Sequence, residues 1–333
     1  MGLPYDDATA ARLKGDLLVK SGGSWRYADR VWVKQSGTWR SSENIYVKSG
    51  GSWRNAAQYD IYRFRLTLSA ANNGSNSANV NYAIQERKSF GNNTVSGNYN
   101  FNNSTFRLSD VLDGASSWSN NIAYGAIYVN STQRYLRIDA LPAGSRVVLY
   151  VNSGKRILGR GGNGGNGSNN NNAGGNGANG QTALYVRTET TLVNSGQIGG
   201  GGGGGGGGRG AQCVYVNDGQ QPCMKGIQCP ITYQQFSQET GGGGGGGAGY
   251  PNSSGGQGGT GGQNGQSNAG GNGGGGTTSC GAQGGRNGGG LGQNGQSAGQ
   301  TTGSPGSAGA AIDGVNYITK ETAGTINGAQ NNG

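Results

Sequence analysis

Residues 195–212 read SGQIGGGGGGGGGGRGAQ, and Gly199 to Gly208 form ten consecutive glycines that offer no side chain to a hydrophobic core. Fixing ten glycines costs roughly 10–20 kcal/mol of backbone entropy. A single glycine strand recovers almost none of this by burial. Alone, such a run is a flexible linker, and a linker predicts one or two runs joining domains of ordinary composition.

The rest of the chain does not fit a linker. Of the 75 glycines, 14 lie in residues 1–156 and 61 in the remaining 177 residues. Glycine therefore dominates half of the protein. The tracts are short and repeated, and several keep a period of three: Gly159, Gly162, Gly165; Gly174, Gly177, Gly180; Gly256, Gly259, Gly262, Gly265. Three residues per turn is the period of the polyproline II helix, and six prolines with no sustained Gly-X-Y register exclude collagen. Polyglycine in this helix has no Cβ, so chains can pack at close range. Each N–H and C=O can then meet a neighbour for about 0.5–1.5 kcal/mol per hydrogen bond, with about 0.5–1 kcal/mol more from each Cα–H···O contact. One strand fails on entropy, whereas a bundle of many succeeds. Ten residues would span roughly 31 Å.

Charge excludes one function class. The net charge is +10, and Gly-Arg-Gly pieces occur at 159–161 and 208–210, as in RNA-binding segments. Yet residues 1–156 hold 19 basic and 10 acidic residues, while the glycine-rich part holds six and five. A nearly neutral segment has few counterions to release, so no nucleic-acid partner is expected. The chain has no histidine, which removes imidazole catalysis and histidine-containing zinc sites. The start, MGLPYDDATAARLKG, lacks the apolar core of a signal peptide, and no apolar run approaches membrane-spanning length. Synthesis in a cytoplasm is expected.

Residues 19–60 repeat with a period of 14: VKSGGSWRYADRVW, VKQSGTWRSSENIY and VKSGGSWRNAAQYD, with Trp25, Trp39 and Trp53 in register. A β-branched start, a Ser-Gly turn and a Trp-Arg return predict three short hairpins. They form either a small self-contained β-domain or three equivalent contacts for a threefold-symmetric partner, with Trp and Arg as favoured anchors. A short helix over Asp7–Lys14 is expected to precede them.

Residues 58–157 carry alternating runs such as YDIYRFRLTL and SRVVLYVNSG, separated by Asn, Gly and Ser, and predict an antiparallel β-domain. Asp110 and Asp113, near Trp118, fit a turn or short helix better than a glycosidase pair. Gly159-x-Gly161-x-x-Gly164 has the skeleton of a dinucleotide fingerprint, but no helical pattern follows it. The expected fold is mostly β plus non-regular structure: hairpin repeats of pseudo-threefold character in 1–57, an antiparallel β-domain in 58–157, and a layered bundle of polyglycine II helices in 158–333.

Within the last part, 182–200 and 310–329 echo one another and read as scaffold strands. Residues 211–240 echo nothing. They gather Tyr215, Asn217, Lys225, Tyr233 and Phe236 between the two longest glycine runs, and a rigidly held aromatic and amide-rich segment is suited to display. Cys213, Cys223, Cys229 and Cys280 lack zinc-ribbon spacing, leaving one or two disulfides formed after release from the cell as the favoured state, with free thiols the alternative.

The Trp repeats, the β middle, LVNSGQIGGGGGGGGGG and AAIDGVNYITKETAGTING together resemble the tip adhesins of the long tail fibres of T-even-type bacteriophages, across essentially the whole chain. The resemblance implies a virion protein at the fibre tip, one copy per trimeric distal fibre protein, whose polyglycine II lattice presents loops to a bacterial outer-membrane protein, with lipopolysaccharide as an alternative receptor. Trp25, Arg26, Trp39, Arg40, Trp53 and Arg54 become fibre-attachment candidates. Segments near 211–240, 248–254, 277–287 and 299–305 become receptor-binding candidates, which adds Tyr250 and Arg286. The long, Cys-rich segment 211–240 departs from the family pattern. No catalytic residue, cofactor or metal is expected. An assembly factor for the trimeric fibre is the alternative reading, and a polysaccharide-cleaving tailspike would need paired carboxylates that the scattered Glu189, Asp218, Glu239, Asp313 and Glu321 do not supply.

Overall fold

The computed structural model describes residues 18–21, 24–27, 32–41, 46–49, 52–55, 61–71, 78–88, 91–101, 106–115, 118, 121–169, 171–224, 227–277, 280–296 and 303–333. The expected helix at Asp7–Lys14 lies outside them. The 14-residue repeats form three separate antiparallel hairpins: β1 (Leu18–Ser21) with β2 (Ser24–Tyr27), β3 (Trp32–Gln35) with β4 (Thr38–Ser41), and β5 (Tyr46–Ser49) with β6 (Ser52–Asn55). Their registers are equivalent, with Lys20, Lys34 and Lys48 opposite Trp25, Trp39 and Trp53. Ser36 and Gly37 both take positive φ (50° and 82°), as a two-residue turn matched to strand twist requires.

Beyond residue 60 the expected antiparallel domain is corrected. Among the described residues of 58–157, only β7 (Ile61–Leu68), β8 (Ala78–Lys88) and β9 (Gly91–Phe101) pair antiparallel. The rest is a parallel solenoid in which each circuit of the chain adds one strand to each of three sheets. The first circuit is β10 (Phe106–Arg107), β11 (Ala123–Val129) and β12 (Gln133–Arg134); the second is β13 (Leu136–Ile138), β14 (Arg146–Val151) and β15 (Arg156–Leu158). The third is β16 (Leu184–Val186), β17 (Thr190–Asn194) and β18 (Gln197–Gly199). Strands β21 (Ile312–Asp313), β22 (Ile318–Thr322) and β23 (Thr325–Asn327) make the fourth, and β24 (Gln330–Asn331) follows. Alternation reports which face is buried and says nothing of strand direction; the partners here come from distant residues, and a solenoid turn supplies the crossover that parallel pairing needs. The sheets therefore run across position 157, where composition changes abruptly.

Inward residues of successive circuits stack into one core, including Leu136, Ile138, Val147, Leu149, Ile157, Leu184, Val186, Leu192, Ile198 and Ile312. Each fully buried Leu, Ile or Val contributes about 1.5–3 kcal/mol. Helix α1 (Leu108–Ala115) joins this core through Leu108, Val111 and Leu112, together with Trp118. Asp110 and Asp113 lie on its exposed side, so they belong to a short surface helix.

One corner of the solenoid carries the glycine-rich half. Between β12 and β13 the corner is Tyr135 alone, at φ 45°. The same corner of the next circuit holds residues 159–183, and that of the third holds residues 200–311. Strand register passes straight into these insertions. Leu158 pairs with Gly199, after which Gly159 donates to Gly199 O, Gly162 to Gly202 O and Gly165 to Gly205 O. Likewise Gly177, Gly180 and Ala183 donate to Ser304, Ser307 and Ala310 just ahead of the Leu184–Ile312 pair.

Hydrogen bonds among the glycine segments recur every third residue. Gly201, Gly204 and Gly207 donate to Gln181, Ala178 and Gly175; Gly202, Gly205 and Gly208 donate to Ala248, Gly245 and Gly242; Gly203 donates to Gln293. The same run accepts from Gly159, Gly162, Gly165 and Ser168, from Arg286, Gly289 and Gly292, and from Gly303, Gly306 and Gly309. It is thus surrounded by neighbours on every side. Residues 240–249 are surrounded in the same way, by 159–168, 199–210, 253–259, 260–267, 269–277 and 282–291. These two are the longest glycine runs because every third-residue face meets another backbone. At the periphery one face is open, and there 159–168 places Arg160, Asn163 and Asn166.

A methyl group at Gly204 would lie 1.9 Å from Asn163 O, whereas one at exposed Gly261 would meet nothing nearer than 3.7 Å. Gly204→Ala is expected to cost at least about 3 kcal/mol, and Gly261→Ala to stay within about 0.5 kcal/mol of the parent. Thermal unfolding of the two variants side by side checks this.

Candidate functional site

The segments 159–168 and 199–210 both start at the solenoid and run away from it, so their far ends define the tip of the glycine body. From that tip springs the segment expected as an irregular display loop, and this expectation is corrected. Residues 211–239 form one antiparallel hairpin, β19 (Ala211–Met224) and β20 (Ile227–Glu239). Pro222 and Pro230 do not break it. They face Gln228 and Gln220, two pairs of the same parity, where a missing N–H is tolerated if it points to the open edge.

The base of the hairpin is fastened to neighbouring loops. Cys213 is disulfide-bonded to Cys280, 67 residues away, with Cα atoms 5.4 Å apart. The buried carboxylate of Glu239 accepts the Cys280 N–H at 2.7 Å. Thr240 Oγ1 donates to Asn169 Oδ1 at 2.6 Å, Arg209 Nε to Asn171 O at 2.8 Å, and the Gln283 N–H to Arg209 O at 2.9 Å.

Above this base, Val214 and Phe236 are directly opposite one another and are 51% and 58% exposed, the large apolar residues most open to solvent among those described. Exposed Gln212 and Gln238 flank them. Strand alternation sets Tyr215, Asn217 and Tyr233 on the other face, that of Cys213. The hairpin therefore brings together Tyr215, Asn217, Tyr233 and Phe236, on two faces. Lys225 lies outside the described residues.

Two candidates are elsewhere. Tyr250 sits at the solenoid end of the glycine body, packed against Leu158, Ala248 and Leu291, with its N–H donated to Gly159 O. Arg286 is midway along a glycine segment, donating its N–H to Gly206 O and accepting from Gly245. Val214 was not singled out from sequence. Its signal was present in the alternation that pairs it with Phe236 once 211–239 is folded about residues 225–226.

Trp25, Arg26, Trp39, Arg40, Trp53 and Arg54 all fall on the return strands of the three N-terminal hairpins, at equivalent positions. The acids of the glycine-rich half are dispersed. Glu189 pairs with Arg146 and Asp313 with Arg187, while Glu239 serves the hairpin base. Among the described residues no group of three or more His, Cys, Asp or Glu gathers to hold a metal, and no helix is long and apolar enough to cross a membrane.

Residues 66–331 match the family described as phage tail fibre adhesin Gp38. No curated protein and no solved structure matches the chain. The chain belongs to this phage tail fibre adhesin family.

Cross-linking positions 67 residues apart constrains the unfolded chain, for a stabilisation of about 2–4 kcal/mol. The double variant Cys213→Ser, Cys280→Ser is expected to unfold more easily by that amount. Amide hydrogen exchange should quicken first at 211–214 and 236–239, which mass spectrometry of peptides from the two strands would reveal.

Proposed function

We propose that this chain, as a phage tail fibre adhesin, caps the distal end of a long tail fibre and captures the host by reversible binding of its hairpin to a bacterial outer-membrane protein. The observation that carries this reading is the opposed, exposed Val214–Phe236 pair on a hairpin fastened at the far end of the glycine body. Apolar side chains left open on a rigid projection are characteristic of binding anchors, and amides such as Gln212 and Gln238 at their rim fit a polar surround. Tyr215, Asn217 and Tyr233 offer the second face of the same hairpin. Lipopolysaccharide is the alternative ligand. The protein acts by binding alone, with no catalytic step, and several fibres per virion turn weak single contacts into firm adsorption.

The glycine segments are best understood as polyglycine II helices, because hydrogen bonds recurring at every third residue, to neighbours of either direction, are what a threefold helix without side chains would make. Toward the start of the chain, three hairpins of equal register, each bearing Trp-Arg, suit a threefold partner, with one adhesin per trimeric distal fibre protein. Synthesis takes place in the host cytoplasm, and the Cys213–Cys280 bond closes once the particle reaches an oxidising medium. An assembly-factor role receives no support from the family assignment.

Phage carrying Val214→Ala with Phe236→Ala is expected to adsorb to its host about tenfold or more slowly, while the purified protein keeps its melting temperature because both residues are exposed. Undiminished adsorption by that phage would remove the hairpin from the receptor site. Virions carrying Trp25→Ala, Trp39→Ala and Trp53→Ala together are expected to lose the adhesin, as read by immunoblotting of purified particles.

A further inference from the structure

Eight asparagines of the glycine body, residues 159–311, are followed directly by glycine: Asn163, Asn166, Asn176, Asn179, Asn264, Asn272, Asn287 and Asn294. This dipeptide is chemically labile because a glycine places no side chain in the way of its own backbone nitrogen. That nitrogen attacks the asparagine Cγ, losing its proton as the N–Cγ bond forms. The Cγ–Nδ2 bond then breaks and ammonia leaves. Water opens the resulting cyclic imide to aspartate or isoaspartate.

Seven of the eight have both reacting groups tied to a neighbouring segment. Where the neighbour runs parallel, a single residue holds both. Ser254 donates its N–H to Asn163 Oδ1 (3.1 Å) and accepts from Gly164 (2.9 Å). Gln257 does the same for Asn166 and Gly167, Ser304 for Asn176 and Gly177, and Ser307 for Asn179 and Gly180. Where the neighbour runs antiparallel, donor and acceptor are two residues apart. Gly255 and Ser253 hold Asn264 and Gly265, Gly273 and Gly271 hold Asn287 and Gly288, and Ala308 and Gly306 hold Asn294 and Gly295. Asn272 differs. The N–H of Gly273 is donated to Asn287 Oδ1, but the exposed Asn272 side chain has no hydrogen-bond partner among the described residues.

We propose that this two-point clamp shields the glycine body from spontaneous deamidation and leaves Asn272 as its site of modification. The clamp keeps each Gly nitrogen on a neighbour's carbonyl while a neighbour's N–H holds the oxygen of the Asn amide. Both hydrogen bonds must open before the ring can close, which slows the reaction about tenfold to a hundredfold. Protection matters in this architecture, since isoaspartate adds a methylene to the backbone and would shift a segment against its three-residue register.

The test is peptide mapping by mass spectrometry of the full-length protein during storage in mildly alkaline buffer, with and without denaturant. In the native protein Asn272 is expected to deamidate about tenfold or more faster than each of the seven clamped asparagines, and in denaturant all eight should react at similar rates. Equal native rates, or a clamped site reacting faster than Asn272, would overturn the proposal. Ser254→Pro removes the N–H that holds Asn163 and spares the clamp on Asn166. About a tenfold rise at Asn163 alone supports the clamp, and no rise in a variant with the parent's melting temperature refutes it. Should that variant not fold, the comparison of sites within the parent protein decides.

Discussion

The fold depends on the closeness with which glycine backbones approach one another. At Gly201 through Gly208 a Cβ would fall about 2 Å from a neighbouring carbonyl oxygen, a distance no side chain survives. This one steric condition permits hydrogen bonding in every lateral direction at once, which β-sheets do not achieve. It also converts a residue that is entropically the most expensive to order into a rigid material, because nearly every peptide group gains a partner. The cost falls on ordering the first segments, and the solenoid meets it: strands β15 and β18, and β16 and β21, are already in register where the glycine segments begin.

Much of this was legible in the sequence. The period of three in the glycine tracts, and the density of tracts, point to laterally bonded segments. The pattern carries more than that. A run with no interruption, as at 199–208 or 241–247, has neighbours all round, whereas Gly-Gly-Asn marks a segment with one open face. The asparagines carry no such signal by themselves, but their side chains complete the bonding where the glycine body ends, as Asn163 and Asn166 do for Ser254 and Gln257.

Other features were not legible, for identifiable reasons. Strand direction in 106–158 is set by pairing between successive circuits, β10 with β13, β11 with β14 and β12 with β15, and the alternation of RVVLYV suits either direction. Residues 211–240 carry their Asp-Gly turn signal at 218–219, within β19 instead of between the strands, and contain two prolines, which occupy register positions of the same parity. Tyr250 resembled a display residue by being aromatic beside a glycine run. Its place is decided by chain reversal: 240–249 returns toward the solenoid, and the ring meets Leu158 and Leu291 there. Conversely, the three Trp hairpins repeat so regularly that their equivalence was evident from the period of 14 alone.

The central claim is that the glycine runs form a bonded, ordered body holding a hairpin at its far end. Native-state hydrogen exchange of the amides of residues 199–208 and 241–247 tests it most directly. Every one of these N–H groups except that of Gly206 is either in a strand or donated to a named carbonyl, so exchange many orders of magnitude slower than in an unstructured glycine peptide is expected. Exchange at the rate of a free peptide, in protein whose solenoid amides remain protected, would show that these runs are linkers after all.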